Sequence, residues 1–209
     1  MGEAAAFSDT SQEIIRSWHR GLSKFLLIVV IVYLAVIFLF IQQKKKKAQQ
    51  ILKKIANKDY VWDPLTIKQW VSEVFEEVYF AYQHRDTKTL KDISTEQFLQ
   101  SFERQFRQYD KGLMDYHLEG YVMTGCEVVA VEDFVDNNQD NMAIVVSCEL
   151  FEYLIFKPEN TVVKGEKEFL EYQRLWYFKR RQDKWLLDKI EPEVSLTVLK
   201  SLSNHVENN

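Results

Sequence analysis

Apolar and polar positions divide the chain into three regimes. From Phe25 to Ile41 it reads FLLIVVIVYLAVIFLFI, seventeen residues without a charge. A run apolar on every side has no face to turn toward water, unlike the one-sided stripe of a globular helix. At ~1.5 Å per residue it is about 26 Å long, slightly short of a ~30 Å hydrocarbon core. Gln42 and Gln43 extend it into the headgroups, and Lys24 and Lys44 snorkel from its ends, so residues 25–43 are expected to span a membrane once. A cleaved signal peptide is disfavoured, because Gln-Gln-Lys-Lys-Lys-Lys follows the run where a small-residue cleavage site belongs. Ahead of it, Ile14, Ile15, Trp18 and Leu22 suggest a short interfacial helix with Trp18 at headgroup depth.

The second regime has helical period. Ile67, Trp70, Val71, Val74, Phe75, Val78, Tyr79 and Tyr82 recur at spacings of three and four, which predicts an amphipathic helix from about Thr66 to His84–Asp86. Leu90 and Ile93 add one turn. Ser94 with Gln97 forms a capping box for a third helix, with a face of Phe98, Phe102, Phe106, Tyr109 and Leu113 and an end at Gly112.

The third regime has period two. Long strands are expected over Glu119–Asp136, with a bulge at Gly125, over Met142–Phe156, over Phe169–Arg181 and over Trp185–Ile190. Asp136–Asn141, Lys157–Asn160 and Arg181–Lys184 are the turns between them, and Glu191-Pro192 stops the last strand. From Val194 the tail is expected to form a short helix and then fray. Helices followed by consecutive strands indicate an α+β domain: about three helices on a strongly bent four-stranded antiparallel sheet, which wraps them into a cone with a natural pocket. The expected divisions are an N-terminal flank 1–24, the transmembrane helix 25–43, a basic juxtamembrane helix or linker 44–64, the domain 65–192 and a tail 193–209.

Charge sharpens this division. Up to Lys58 there are ten basic and three acidic residues, net +7; beyond it there are seventeen and twenty-eight, net −11. An acidic body repels phosphate, so nucleic acid is not expected as a partner. Three basic residues precede the span (Arg16, Arg20, Lys24) and seven follow it closely, which favours the C-terminal side staying in the cytoplasm or an equivalent compartment. Lys44, Lys45, Lys46, Lys47, Lys53 and Lys54 are the candidate contacts to anionic headgroups. With Ile51, Leu52 and Ile55 they fit either a basic helix lying on the membrane or a stop-transfer signal with a linker. Cys126 and Cys148 read as buried thiols in a reducing compartment.

Four short stretches, in order, resemble one family. They are Trp70 to Phe75 with Ala81-Tyr82-Gln83-His84-Arg85-Asp86, then Leu90 with Ser94-Thr95-Glu96, then Leu175-Trp176-Tyr177-Phe178-Lys179-Arg180, then Trp185-Leu186-Leu187 with Ile190. Together, over residues 66–191, they resemble the Tim44-like domain, the C-terminal domain of the mitochondrial inner-membrane import-motor tether and its bacterial relatives. Tyr177 stands where the family's strand motif has threonine. The region that engages the import motor has no counterpart here, and a transmembrane anchor takes its place, so chaperone tethering is not carried over. The resemblance implies a cone-shaped fold of the nuclear-transport-factor-two-like superfamily (the cystatin-like cone), membrane association and a role in protein transport. It places the chain in a bacterial inner membrane with the domain cytoplasmic, or alternatively in the mitochondrial inner membrane facing the matrix.

Candidate chemistry is sparse. Asp115, Tyr116 and His117, expected in a helix-to-strand connection, and the pair His84 and Asp86 are the acid–base groups that such a cone could use. Asp86 reads more simply as a cap and Arg85 as the partner of an acid. No nucleophile elbow, phosphate loop or metal motif is present in the sequence, and no catalytic residue, metal or cofactor is assigned. Trp70, Phe75, Tyr79, Phe102, Phe106, Trp176, Phe178 and Trp185 read first of all as core; among them Trp70, Phe75, Tyr79, Phe106, Trp176 and Phe178 are the candidates from which one or two would line the mouth of the cone and hold an acyl chain or apolar peptide. The expected function is a membrane-anchored binding or adaptor protein that contacts anionic lipids and a membrane complex or translocation machinery, with homo-oligomerisation left open. The alternatives are a structural subunit of a membrane or secretion complex and, behind it, a small-molecule pocket enzyme.

Overall fold

The computed structural model describes residues 3–207, with side chains from Lys24 onward. The expected position of Trp18 lies outside the described side chains. A first helix, α1 (Glu3–Ile55), crosses the boundary between two units, Met1–Phe40 and Ile41–Asn209. In the first unit every large apolar side chain from Phe25 to Leu34 is exposed. Among the described residues α1 alone is long and apolar enough to cross a membrane.

In the second unit the end of α1 belongs to the core. Ile41, Ala48, Leu52 and Ile55 are buried at spacings of seven, four and three, a single helical stripe. Asp59 caps a 3-10 turn (Tyr60–Trp62), and Asp63 caps α2 (Pro64–His84), its carboxylate accepting from Thr66 N at 2.9 Å. Pro64 sits at the first helical position, where a missing N–H costs nothing, so α2 starts earlier than its apolar periodicity indicated. Arg85 takes a left-handed conformation (φ 53°) to end α2, and Asp86 caps the single turn α3 (Thr87–Leu90). Helix α4 (Glu96–Lys111) is capped by Thr95, not Ser94. The reason is tertiary: Ile93 and Thr95 exchange backbone bonds with Leu187 at 2.8 and 2.9 Å, which holds this connection extended.

The strands are β1 (Met114–Glu132), β2 (Asn141–Phe156), β3 (Thr161–Gly165), β4 (Leu170–Arg181) and β5 (Lys184–Glu191). They form an open antiparallel sheet in the order β1-β2-β4-β5, with β3 also on β2. The four strands expected are therefore five. β3 and β4 pair with successive stretches of the same strand, Tyr153–Phe156 and Asn141–Leu150, so they are one long strand broken at residues 166–169. β1 carries three register shifts, one of them at Met123/Gly125, where the glycine suggested a bulge. It also starts at Met114, so Asp115, Tyr116 and His117 belong to the strand and not to a connection.

Helices α2 and α4 cover one face of the sheet. Val71, Val74, Phe75 and Val78 of α2 and Phe98, Phe102 and Phe106 of α4 form a core with Ile144, Val146, Trp176 and Phe178. The tail crosses the other face. There α5 (Leu196–Ser201) buries Leu199, and Ser201–Ser203 share a cavity with Ala143 and Tyr177. The tail does not fray after α5: His205 exchanges backbone bonds with Val131 and Asp133 at 2.9 and 3.0 Å, pairing with the edge of β1.

One polar node sits inside the unit. Arg180 has the same parity as Trp176 and Phe178, and only 2% of its side chain is exposed. It pairs with Asp59 and with Asp140, 3.1 Å away, and donates to Gln182 O at 2.7 Å. The end of α1, the β1–β2 connection and the β4–β5 turn thus meet on one guanidinium, whose rigid fork serves several acceptors.

Candidate functional site: a tyrosine-lined cup

Strand parity decides what enters the helix-covered side. In β4, Tyr172 and Arg174 project from the same face as Trp176 and Phe178. In β2 the inward series Ile144, Val146, Cys148 and Leu150 continues to Glu152. At this end of the sheet a cavity of about 340 Å³ remains, walled by Tyr82 of α2, Gln105 and Tyr109 of α4, Tyr116 of β1, Glu152 of β2 and Tyr172 and Arg174 of β4. Lys164, Pro192 and Glu193, all exposed, also line it.

The polar groups of this cup are wired together. Arg174 donates to the Tyr79 hydroxyl at 3.0 Å and pairs with Glu152, whose second oxygen accepts from the Tyr116 hydroxyl at 2.9 Å. Gln105 donates to Tyr109 at 2.6 Å. Tyr109 and Tyr116 stack with rings 13° apart, and the Arg174 guanidinium lies 5.1 Å from the Tyr172 ring centroid. The side chains of Arg174 and Glu152 are each 15% exposed, so each charge is tolerable only because the other is present. Burial opposes the Arg174 charge, yet Tyr79 and Glu152 beside it hold its pKa above the ordinary value. Burial pushes the hydroxyls of Tyr79, Tyr82 and Tyr116 well up, and the nearby Arg174 offsets this only in part. With Tyr79 un-ionised at neutral pH, Glu152 supplies the countercharge. The cup therefore offers aromatic faces and neutral hydroxyls around an internally balanced ion pair, a surface that holds an amphipathic group rather than one that activates a nucleophile.

The residues singled out from the sequence lie around this cup, not on its wall. Phe75, Tyr79, Phe106, Trp176 and Phe178 are buried in the core. Trp70 packs edge-on against Phe178 at 4.8 Å. None of the six lines the cavity, and Tyr79 touches its wall through its bond with Arg174 and its ring contact with Tyr82. His84 bonds to Phe80 O at 2.9 Å, Asp86 accepts from Lys88 N at 2.8 Å, and Arg85 pairs with Asp110 at 3.1 Å. Asp115 and His117 lie 3.3 Å apart outside the cup, with the His117 ring stacked on Tyr153. Among the described residues no cluster of three or more His, Cys, Asp or Glu is placed to hold a metal ion. Cys148 is buried and Cys126 half-buried, both free.

The lysine collar is divided. Lys44 donates to Leu202 O and Lys45 pairs with Glu127, so these two fasten α1 to the tail and to β1. Lys46, Lys47, Lys53 and Lys54 are exposed, in two pairs seven residues apart on one side of the helix. Leu52 and Ile55 are turned into the core and are not available to lie on a membrane.

The sequence matches the Tim44-like domain over residues 48–192. The chain belongs to the Tim44-like domain family. The match begins at Ala48, where the buried stripe of α1 enters the core. The strand motifs that suggested the Tim44-like domain are cross-strand partners: Trp176 faces Ile190, Phe178 faces Leu187 and Arg180 faces Trp185. Among solved structures, the intermembrane space region of the chloroplast protein ARC6 aligns with a TM-score of 0.42 at 10% identity, covering 61% of this chain and 97% of that one. A comparison with curated protein sequences gives no match. One apolar helix ahead of a Tim44-like domain fits a single-pass membrane protein.

Tyrosines at helical and strand spacing read as core, which hides the cup from a reading of the sequence. A signal is present nonetheless. In β4 the inward positions run Tyr172, Arg174, Trp176, Phe178, Arg180, and two arginines on the parity of a tryptophan demand buried partners.

Proposed function

We propose that this Tim44-like chain is a single-pass membrane-anchored adaptor, not an enzyme, which binds protein or lipid through the cup in the service of protein transport or complex assembly at the membrane. The observation that carries the reading is the cup itself: an open, tyrosine-walled cavity whose buried ion pair is already neutralised. Residues 25–43 anchor the chain, and Lys46, Lys47, Lys53 and Lys54 attract anionic headgroups at on the order of 1 kcal/mol each. The domain lies on the cytoplasmic or matrix side, as the basic residues after the span favour.

The test is site-specific photo-crosslinking in native membranes, with a photoreactive residue in place of Tyr109 or, as a control, of Val135, which is exposed and far along the chain. A discrete adduct from the cup position and none from the control is expected. Adducts of equal pattern from both positions would remove the cup from the function.

A further inference from the structure

The sheet protects most of its edges. The outer edge of β1 is broken by three register shifts and closed at one end by His205. The outer edge of β5 is bonded to the connection Ile93–Thr95. β3 is short, carries Lys164 and has its own register shift. Bulges, lysines and covering segments are the usual ways of blocking an edge.

One stretch has none of these devices. The β4–β5 ladder stops at Leu175 opposite Glu191, and Pro192, which has no N–H to donate, follows. On that side Leu170–Arg174 has no strand partner, and among the described residues its backbone makes no bond outside the β2 ladder. This bare edge forms one wall of the cup, since Tyr172 and Arg174 line the cavity from it. The charges around it have mostly one sign. Glu166, Glu168, Glu171 and Glu193 are exposed beside it, against Lys164 and Lys167, in a part of the chain that carries net −11.

We propose that an extended, Lys- or Arg-bearing segment of a partner polypeptide adds to this edge antiparallel to β4, continuing the course of β5, with alternate side chains entering the cup. The main chain supplies hydrogen bonds, and every second side chain of such a strand points to the same face, into the tyrosines. Basic residues on the intervening positions meet the glutamates. The inference rests on the adaptor reading above and specifies the chemistry of the partner.

The experiment uses the full-length protein in detergent micelles and a synthetic peptide of about nine residues, alternating lysine and valine around a central leucine, which spans about 30 Å when extended. Two further versions are N-methylated on one or the other set of alternate residues, and one version replaces lysine by glutamate. Binding is read by fluorescence anisotropy, and amide hydrogen exchange is followed at Leu170–Arg174. The expected result is about tenfold slower exchange at amides of this stretch, loss of binding for one N-methylated version but not the other, and affinity that falls with added salt. The Tyr172→Ala variant binds about tenfold more weakly, and the N-methylated peptides test strand addition independently of that variant's folding.

Four results would overturn the proposal. Binding without protection of these amides, or with equal effect of both methylation patterns, denies strand addition but leaves a cup-binding adaptor. Equal binding of the glutamate peptide denies the charge reasoning. Protection in the free protein that grows with its concentration assigns the edge to a second copy. Failure of the adaptor reading itself would appear separately, in the crosslinking from native membranes.

Discussion

Removing one partner of the Arg174–Glu152 pair is expected to cost far more than removing both. Arg174→Met leaves the Glu152 carboxylate 15% exposed with the Tyr116 hydroxyl as its remaining partner. An uncompensated buried charge of this kind costs about 3–5 kcal/mol. Glu152→Gln keeps an acceptor for Tyr116 but strands the guanidinium, with Tyr79 as its neutral partner, at a cost in the same range. The double variant Arg174→Met/Glu152→Gln buries no charge. Its loss reduces to one or two hydrogen bonds, about 1–2 kcal/mol. The coupling between the sites is then about 4 kcal/mol or more. For a domain of this size each kcal/mol moves the melting temperature by roughly 2–4 °C, so each single variant melts about 10 °C lower and the double variant recovers most of that. Thermal and urea unfolding of the full-length protein in detergent, followed by tryptophan fluorescence, measures all four species. Single losses below about 1 kcal/mol that simply add would mean that water solvates the pair, and the description of the cup as holding a buried ion pair would be wrong.

Further outcomes follow from local geometry and burial. Gly165 has φ +73°, and a Cβ there would lie 2.3 Å from Glu152 O and 3.0 Å from Tyr153 Cα, both backbone, so Gly165→Ala should destabilise by about 2–4 kcal/mol. At Gly120 a Cβ would meet the end of the Phe169 ring at 2.6 Å, but Phe169 is 52% exposed and free to swing away. Gly120→Ala should cost under about 1 kcal/mol, and equal losses in urea titrations of the two variants would contradict this ranking. Burial pushes the Asp140 carboxyl up to about 6, opposed by the Phe134 N–H, aided by Asp133 and opposed again by Arg180. A carboxyl raised on folding binds more protons in the native state, so its contribution to stability is present at low pH and is lost as pH rises through about 6. Relative to Asp140→Asn, the wild type should therefore be more stable at pH 5 than at pH 7; a difference independent of pH would refute the assignment.

The parts of the fold that are legible in the sequence are those set by local chemistry. The charge-free run, the three-and-four spacing of α2 and α4 and the alternation in β2, β4 and β5 each follow from side chains close together in the chain. What escapes depends on distant partners. Thr95 displaces Ser94 as the cap because Leu187, far along the chain, holds the connection extended. β3 is hidden because Thr161–Gly165 is exposed throughout and shows no buried alternation. The end of α1 looks like a linker because a stripe of Ala48, Leu52 and Ile55 among lysines becomes a core face only once the rest of the domain packs on it. The cup escapes for the same reason. Phe75 and Trp176 satisfy periodicity and are fully enclosed, whereas Tyr109 and Tyr172 face an opening that forms only once α4 packs against β1 and β5.

The fastening of Lys44 to Leu202 has a consequence for biosynthesis. The two residues are 158 positions apart, and at a synthesis rate of about 5–20 residues per second the second follows the first by about 8–30 s. His205, which seals the margin of β1, is made later still. The apolar end of α1 is thus made well before the residues that close the domain behind it. During that interval the half-made sheet has an open seam, and the nascent chain needs shielding until His205 has been made.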